Sequence, residues 1–291
     1  MSSGTVLQPT DRYFQTDGRT LHYEEWGDPV HESLILVHGN RDQCRSWDCF
    51  ADALFVQGSP SFHVIALDLR GHGDSDWSLP ERGYQHEDFI LDLAGIVRHL
   101  RKDSVTLIGH SLGGSISMLF TGSFPTKVSK LVLIEATGPY ARSDDDVPDL
   151  LAGWVEGESS QAGDSIYPGP NDAAEAIQKR FPMIPDEARA QMVRYGTKVS
   201  GQGVVWKYDP RVRFQSYSNF TEGQIHAFIK RIQCPTLLIF GAEGGFTKSP
   251  RFSRVGLFNN GKVVEIPGCG HHVPHEKPGE LAEIVFPFLC T

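Results

Sequence analysis

The chain contains few cysteines, and they are not grouped. Its 291 residues include 5 cysteines, scattered without a CxxC pair. An odd and sparse cysteine count argues against a disulfide framework and indicates reduced thiols. The sequence therefore predicts a cytoplasmic protein without structural disulfides.

Long apolar runs are also absent. No stretch approaches the ~20 apolar residues that a membrane-spanning helix needs, so we expect no membrane span. The N-terminal sequence MSSGTVLQPTDRYFQTDG has no basic segment followed by an apolar one, which predicts no signal peptide. Internal repeats and low-complexity segments are missing from the sequence too.

Basic residues are outnumbered by acidic ones. Lys and Arg total 27 against 36 Asp and Glu, which leaves a formal net charge of −9. An acidic balance disfavours nucleic acid as the main partner, and the oligomeric state stays open. With 40% hydrophobic residues, the chain has enough apolar side chains for one large core, or for a core and a modest subdomain.

Short apolar segments alternate with helical patterns along the chain. The predicted strands are Thr20–Trp26, at a sheet edge, and Ser33–Gly39, Phe62–Leu67, Val105–Ile108, Lys130–Gly138, Cys234–Gly241 and Lys262–Gly268. Apolar residues between Glu87 and Leu100 have the one-faced spacing of a helix. Nearly continuous apolar strands that alternate with helices predict an α/β fold, with a mostly parallel sheet covered on both faces.

Residues 139–231 interrupt this alternation. They contain the helical patterns NDAAEAIQKRF and PDEARAQMVRYG, and no comparable apolar strand. We interpret the segment as a helical cap over the carboxyl ends of the strands, where open α/β folds bind ligands. The α/β core then consists of residues 1–138 and 232–291.

A serine flanked by glycines follows one predicted strand. The segment Gly109-His110-Ser111-Leu112-Gly113 has the pattern G-x-S-x-G, and a helical pattern comes directly after it. A sharp turn from strand to helix forces the serine into a strained conformation, and glycines remove the Cβ atoms that would collide there. The pattern predicts Ser111 as a nucleophile, although a structural serine at a glycine-rich turn is the plainer alternative.

A serine nucleophile needs a base, and the sequence IPGCGHHVPHEKP offers three histidines. Of these, His271 directly follows Gly270 in a loop between a strand and the last helix, and we favour it as the base. The spacing of His271 and His275 also suits a metal site, but Pro274 lies between them and no HExxH pattern is present. We therefore predict no metal.

Stabilisation of an oxyanion requires two backbone N–H groups. One candidate is the N–H of Leu112, which begins the helix after Ser111. The second candidate is the N–H of Asn40, since His38 and Gly39 end an apolar strand upstream in LVHGNRD.

Together these segments resemble the α/β-hydrolase fold family. The matching pieces are LVHGN, ALDLRGHGDSD, LIGHSLGG, LVLIEA, CPTLLIFGAEGG and IPGCGHHVPHEKP, which follow one another in the family's order between Leu36 and Pro278. The piece RYGTKVSGQGVVWKYDPR resembles the serine-hydrolase-like proteins within that family. The resemblance implies an eight-stranded, mostly parallel sheet, a helical cap, a Ser–His–acid triad and no cofactor.

The position of the acid departs from the family pattern. Many members carry an aspartate three residues after the glycine that corresponds to Gly241, and Gly244 stands there in this chain. Two glutamates remain as candidates. Glu243 is one residue early, whereas Glu135 ends the predicted strand KLVLIE, where some members place the acid. We favour Glu135, with Glu243 as the alternative.

A serine at the turn points to acyl transfer, because related dehalogenases and epoxide hydrolases use an aspartate there. We expect hydrolysis of a carboxylic ester, thioester or lactone through an acyl-enzyme. A C–C bond hydrolase acting on ring-cleavage products is the alternative, and a non-catalytic binding protein is the remote one. The candidate pocket residues are His38, Arg41, His110, Trp154 and Trp206, and the aromatic ones suggest a small, apolar substrate.

Overall fold

The computed structural model describes residues 8–58, 62–79, 83–156, 163, 165–201, 203–213 and 220–291. The segment 139–231 and the N-terminal stretch therefore include residues outside the described part. The strands of the described residues are β1 (Thr10–Thr16), β2 (Arg19–Trp26), β3 (Glu32–Val37), β4 (Phe62–Leu67), β5 (Val105–His110), β6 (Val128–Ile134), β7 (Thr197–Ser200), β8 (Gly203–Trp206), β9 (Thr236–Gly241) and β10 (Gly261–Ile266).

Helices connect most of these strands. They are α1 (Asp48–Gln57), α2 (His86–His99), α3 (Leu112–Ser123), α4 (Val147–Val155), α5 (Pro170–Arg180), α6 (Asp186–Gly196), α7 (Glu222–Lys230), α8 (Val273–Glu276) and α9 (Pro278–Leu289). None of the described helices has the length and apolar character needed to cross a membrane.

Eight strands form one sheet in the order β1-β2-β4-β3-β5-β6-β9-β10. Strand β2 runs antiparallel to both of its neighbours, and every other pairing from β4 to β10 is parallel. The predicted α/β fold with an eight-stranded, mostly parallel sheet is confirmed. Parallel pairing brings the carboxyl ends of β3, β5, β6 and β9 to the same edge of the sheet, where the loops that follow them meet.

Helices cover both faces of the sheet, as the apolar strands require. Along β3, Leu34 and Leu36 pack on the face of α1 and α9, whereas Ile35 and Val37 pack on the face of α2, α3 and α7. This alternation is the period of two that a strand imposes on its side chains. Both faces of β3 are therefore apolar, and the strand shows no alternation of polar and apolar residues from Leu34 to Val37.

Two strand assignments differ from the sequence prediction. Thr20–Trp26 was expected at the sheet edge, but β2 pairs with both β1 and β4. Strand β1 has a mostly exposed and polar sequence, TDRYFQT. It is a strand because it pairs with β2, and its sequence has no hydrophobic pattern that predicts it. The strand predicted to reach Gly138 ends at Ile134.

The described part of residues 139–231 has a small core of its own. Ala173, Ile177, Ile184, Val193 and Val204 pack together there, among α5, α6 and the antiparallel pair β7–β8. This pair was not foreseen in the sequence. Helix α7 behaves differently, because it packs against α3 on the flank of the sheet. The division at residues 138 and 231 stays a prediction.

A buried ion pair holds the loop after β4 to α2. The guanidinium of Arg70 donates to both carboxylate oxygens of Asp92, with Nε–Oδ2 at 2.8 Å and Nη2–Oδ1 at 2.6 Å. A third bond runs from Nη1 to Asp88 at 3.0 Å. Both Arg70 and Asp92 are almost fully buried. Such a pair tolerates the loss of neither partner, because the remaining charge is left in the interior.

We expect Asp92→Ala to lower the free energy of unfolding by about 3–5 kcal/mol, since the buried Arg70 guanidinium loses the carboxylate that accepts from both Nε and Nη2 and is left with Asp88 on Nη1. Urea unfolding followed by tryptophan fluorescence measures the change. The matched control is Glu175→Ala, which removes the exposed Lys179–Glu175 pair at 3.8 Å and should cost less than about 1 kcal/mol. Similar losses in the two variants would contradict this interpretation.

Candidate active site

Ser111 lies on a strained turn between β5 and α3. Its backbone angles, φ 52° and ψ −110°, belong to a region that residues other than glycine rarely adopt. The Ser111 N–H donates to the carbonyl of Ile134 at 2.9 Å, and the Gly113 N–H donates to the carbonyl of His38 at 3.1 Å. The neighbouring strands β6 and β3 thus hold the turn from both sides.

The flanking glycines are required by close backbone contacts. A Cβ atom on Gly109 would lie 2.5 Å from the carbonyl oxygen of Gly113, and one on Gly113 would lie 2.1 Å from that of Val37. Any side chain at either position would push the turn away from β3 or open it. The glycines of the G-x-S-x-G pattern therefore serve the packing of the turn.

His271 contacts the serine from the loop between β10 and α8. Its Nε2 atom lies 3.1 Å from Ser111 Oγ. The loop is held by Glu276, whose carboxylate accepts from the N–H of Gly270 at 2.5 Å and from the N–H of His272 at 3.1 Å. The two hydrogen bonds from Glu276 therefore fix the loop on either side of His271 and so hold its imidazole in position.

Glu135 contacts the other ring nitrogen of the same histidine. Its Oε2 atom lies 3.0 Å from His271 Nδ1, and its Oε1 accepts from the Gly241 N–H at 2.8 Å. The carboxylate is fully buried, and the residue itself has φ 53° directly after β6. A carboxylate at Nδ1 keeps the proton on that nitrogen, so Nε2 is free to accept from the serine hydroxyl.

Glu243 does not reach the histidine. It is exposed, and among the described residues its side chain forms no hydrogen bond to His271. Gly244 explains the arrangement, because a Cβ atom there would lie 3.1 Å from both Glu135 Oε2 and the His271 backbone nitrogen. The carboxylate of Glu135 fills the space that a side chain at position 244 would need.

Two buried histidines hold the loop that carries Asn40. The Nε2 atom of His38 accepts from the Leu69 N–H at 3.1 Å, and its Nδ1–H donates to the Gly39 carbonyl at 2.7 Å. In the same way, His72 Nε2 accepts from the Arg41 N–H at 3.1 Å. Burial, with the nearby charge of His38, lowers the pKa of His72 to about 3, so this ring is neutral and able to accept.

A model of the alpha/beta hydrolase family matches residues 34–284, which is most of the chain. The chain belongs to the alpha/beta hydrolase family. The resemblance seen in the sequence motifs is thereby confirmed, and so is its implication for the fold.

Named relatives point the same way. A probable serine hydrolase of Drosophila melanogaster is 27% identical, over 93% of this chain and 84% of that protein. A bifunctional esterase/perhydrolase of Acinetobacter calcoaceticus is 28% identical, over 94% of this chain and 97% of that one. The crystal structure of a hypothetical protein from Pseudomonas aeruginosa matches with a TM-score of 0.88 at 23% identity, covering 97% of this chain and 99% of that one, which bears on the fold.

In this alpha/beta hydrolase a cavity of about 290 Å³ opens beside Ser111. Its wall combines aromatic, aliphatic and basic side chains with the loop that carries Asn40. The lining residues are Gly39, Asn40, Arg41, Asp42, His110, Ser111, Tyr167, Ala176, Ile177, Arg180, Phe181, Met192, Trp206, Tyr208, His271 and His272.

Three of the five predicted pocket residues line the cavity. Arg41, His110 and Trp206 are in its wall. The expectation for His38 is wrong, because its ring is buried and both nitrogens bind the loop backbone. Trp154 is not among the lining residues of the described part, and its Nε1 lies 3.8 Å from the position of a Cβ atom on Gly83; its place in the pocket stays a prediction. Nothing in the helical pattern of NDAAEAIQKRF marks Arg180 as facing a cavity.

The histidines at the site have distinct surroundings. His110 Nε2–H donates to the carbonyl of His271 at 2.8 Å, and burial together with the charges of His271 and His272 holds the pKa of His110 well below its usual range. The neutral His110 therefore supports the backbone of the loop that carries His271. His275 instead donates from Nε2 to Asp42 at 2.9 Å. Of the three histidines of HHVPH, His271 and His275 thus bind separate partners through their ring nitrogens.

His272 is the least satisfied of these side chains. Burial, followed by the charges of His275 and His271, lowers its pKa to about 3. Neither ring nitrogen has a hydrogen-bond partner within the described part of the chain, and the Phe181 ring lies against it at 4.3 Å. An unpaired buried donor costs about 1–3 kcal/mol.

Two groups of side chains in the described part of the chain have the residue types of a metal site, and they share His22. In one of them, Asp11, His22 and Glu24, the aspartate is exposed. His22, Cys44 and Asp68 place one ligand atom each within 4.8 Å of one another. However, Asp68 already binds the His22 ring at 2.7 Å and the Cys44 N–H at 2.7 Å. Burial and the Asp68 charge raise the pKa of the Cys44 thiol well above its usual value. A protonated thiol is a poor metal ligand, so the group is a structural hydrogen-bond cluster.

Gly113→Ala should lower the free energy of unfolding by about 1–3 kcal/mol, because the added methyl overlaps the Val37 carbonyl. Gly279→Ala is the matched control, since Gly279 is likewise the second residue of a helix but has open space around it. There the substitution should leave stability unchanged or raise it slightly. Chemical denaturation measures both, and equal effects would contradict a packing role for Gly113.

Proposed function

We propose that the chain is a serine hydrolase that cleaves an ester-type bond of a small substrate, a carboxylic ester, thioester or lactone, through an acyl-enzyme. The observation that carries the proposal is the continuous series of contacts from Ser111 Oγ to His271 at 3.1 Å and on to Glu135 at 3.0 Å. A serine hydroxyl becomes a useful nucleophile when a base accepts its proton and a third group orients that base.

In the first half-reaction, Ser111 Oγ attacks the substrate carbonyl carbon and its proton passes to His271 Nε2. The imidazole then carries a positive charge, which the buried Glu135 carboxylate stabilises from the Nδ1 side. When the tetrahedral intermediate collapses, the C–O or C–S bond to the leaving group breaks. His271 returns its proton to that group, which leaves Ser111 acylated.

The developing oxyanion is assigned to the backbone N–H groups of Asn40 and Leu112. Leu112 is the first residue of α3, so its N–H has no partner within the helix and lies at the positive end of the helix dipole. Asn40 lines the cavity, on the loop that His38 and His72 hold by hydrogen bonds. Donors placed in advance need no reorganisation as the charge forms.

In the second half-reaction, water takes the place of the leaving group. His271 Nε2 accepts a proton from the water, whose oxygen attacks the acyl carbon. The bond to Ser111 Oγ then breaks, and His271 returns the proton to the serine. The carboxylic acid product leaves and the free enzyme is regenerated, without any cofactor.

A C–C bond hydrolase would use the same serine, so the contacts described above do not separate the two reactions. Turnover of a panel of p-nitrophenyl esters of increasing acyl length, beside a dienoate ring-cleavage product, distinguishes them. Ester turnover alone supports the proposal, and dienoate turnover alone would replace it with C–C cleavage.

Ser111→Ala should lower kcat for the best p-nitrophenyl ester by about 10⁴-fold or more, because only substrate binding and oxyanion stabilisation remain. An organophosphonate should label the wild type at Ser111 and leave the variant unlabelled. The control is Ser123→Ala, which removes a helix α3 hydroxyl that donates to the Leu119 carbonyl. A Ser111→Ala protein that keeps most of its activity would overturn the mechanism.

Glu135→Gln should lower kcat by about 10⁴-fold, because an amide neither fixes the His271 tautomer nor stabilises the imidazolium. The exposed Glu243→Gln is its control and should have a mild effect. A second arm separates charge from folding. The double variant Glu135→Ala, Gly244→Asp offers a carboxylate from the loop after β9 to the same Nδ1 side of His271, where the Glu135 carboxylate lay, and it should recover part of the activity lost in Glu135→Ala. A greater loss of kcat in Glu243→Gln than in Glu135→Gln would contradict the assignment of Glu135 as the triad acid.

A further inference from the structure

A buried carboxylate–histidine pair joins the two loops that supply the proposed oxyanion donor and the base. His275 Nε2 lies 2.9 Å from Oδ2 of Asp42, although the two residues are 233 positions apart in the chain. Asp42 comes two residues after Asn40 on the loop that follows β3, and His275 comes four residues after His271, in α8. The pair therefore connects the backbone beside one reacting group with the backbone beside the other.

The carboxylate of Asp42 is held by its own loop. Its second oxygen, Oδ1, accepts from the Gln43 N–H at 3.0 Å and from the Ser46 hydroxyl. The backbone N–H of Asp42 donates to the Gly39 carbonyl at 3.3 Å, and the side chain is only 10% exposed. Because these contacts orient the carboxylate, its Oδ2 atom has a fixed place relative to the backbone of Asn40.

His275 is held just as firmly relative to the base. The N–H groups of His275 and Glu276 both donate to the carbonyl of His272, each at 2.9 Å. The His275 side chain is 4% exposed, so its ring has little room to turn. Since His272 directly follows His271, a movement of His275 moves the loop that carries the base.

The pair also governs a charge at the cavity. Asp42 lines the same cavity as Ser111. Burial by itself raises the pKa of this carboxyl, but the charge of His275 and its hydrogen bond outweigh burial and hold the pKa of Asp42 below its usual range. The carboxylate is therefore ionised at neutral pH. Without a partner it would oppose the negative charge that forms on an oxyanion in the same cavity.

We infer that Asp42 and His275 are positioning residues for the reaction, because their contact keeps the N–H of Asn40 and the Nε2 atom of His271 at a constant separation. The inference rests on the proposed function, which assigns those two groups their roles. During acyl transfer negative charge forms beside one loop and positive charge on the other. Donors held in advance stabilise that charge best, and a displacement of about 1 Å can cost about 10²-fold in rate.

The kinetic test compares two amides at position 275. The side-chain nitrogen of His275→Gln reaches the place of the histidine Nε2, whereas that of His275→Asn is one methylene short. His275→Asn should lower kcat for the best p-nitrophenyl ester by about 10- to 100-fold and leave KM within about twofold, because the misplaced groups act in the transition state. His275→Gln restores the donor to Asp42 and should keep kcat within about threefold of the wild type.

His63→Asn is the matched control. His63 is also a buried histidine paired with a carboxylate, since its Nε2 lies 2.6 Å from Glu25 Oε1 and its side chain is 1% exposed. That pair joins β4 to β2, and His63 is not among the cavity-lining residues of the described part. Its loss should lower the urea midpoint as that of His275 does, but kcat of the folded protein should be unchanged.

A double-mutant cycle shows whether the two residues act through each other. Asp42→Ala, His275→Asn and the double variant are compared in kcat. If the contact is what matters, the double variant loses no more than the larger of the two single losses, because either change already breaks the pair. A loss equal to the product of the single losses would contradict the inference. If His275→Asn does not fold, His275→Leu takes its place with the same expectation.

A spectroscopic measurement tests the inference without turnover. In ¹⁵N-labelled protein, the proton between His271 Nδ1 and Glu135 gives a downfield resonance, which is assigned by its absence in His271→Asn. His275→Asn should shift or broaden this resonance, because the loop of the base is no longer fixed. It should be unchanged in His275→Gln and in His63→Asn.

The outcomes separate this inference from the proposed function. If esters are cleaved and His275→Asn keeps the kcat of His63→Asn, the inference fails and the serine hydrolase stands. If His275→Gln loses as much kcat as His275→Asn, the donor to Asp42 is not what matters and the inference also fails. If no ester is cleaved, the proposed function fails for these substrates and the His271 resonance decides. A resonance unchanged in His275→Asn overturns the inference.

Discussion

The site depends on the strained backbone of Ser111. A residue with φ 52° and ψ −110° keeps that conformation only when its surroundings prevent relaxation. Here the restraint comes from both neighbouring strands, through Ser111 N–H to Ile134 and Gly113 N–H to His38. The close approach of Gly113 to β3 adds a steric limit. The same restraint turns the hydroxyl toward the cavity and His271. The position of the serine therefore depends directly on the packing of the sheet.

Strain collects where adjacent parallel strands end. Strands β3, β5 and β6 lie side by side, and the loops that follow them contain Arg41, Ser111 and Glu135, each with positive φ. These residues are not glycine, so each conformation costs free energy that the surrounding core has to offset. All three belong to the proposed site. The stability of the buried core thus offsets the cost of three unfavourable backbone conformations at the proposed site.

Buried histidines also hold the loops around the site. His38 and His72 hold the loop of Asn40, and His110 holds the carbonyl of His271. A neutral imidazole donates at one nitrogen and accepts at the other, so it can join two backbone groups in a buried place. A carboxylate or an amine in those places would bring a charge into the interior. Burial keeps the rings of His72 and His110 neutral, as their lowered pKa values indicate.

The sequence by itself determined those features that depend only on residues close together in the chain. The turn at Ser111 and the α/β alternation follow from neighbouring residues, because strain and hydrophobic period are set within a few positions of the chain. The edge strand β1 cannot be predicted in this way, because its sequence is polar and its structure depends on pairing with β2. Only the tertiary structure shows that the Glu135 carboxylate contacts the His271 ring, because this contact depends on β6 lying between β5 and β9 and on the space left at Gly244. For the same reason the sequence does not show that His38 is buried or that Arg180 lines the cavity: whether a side chain faces a cavity depends on the packing of distant segments, and no local pattern encodes that.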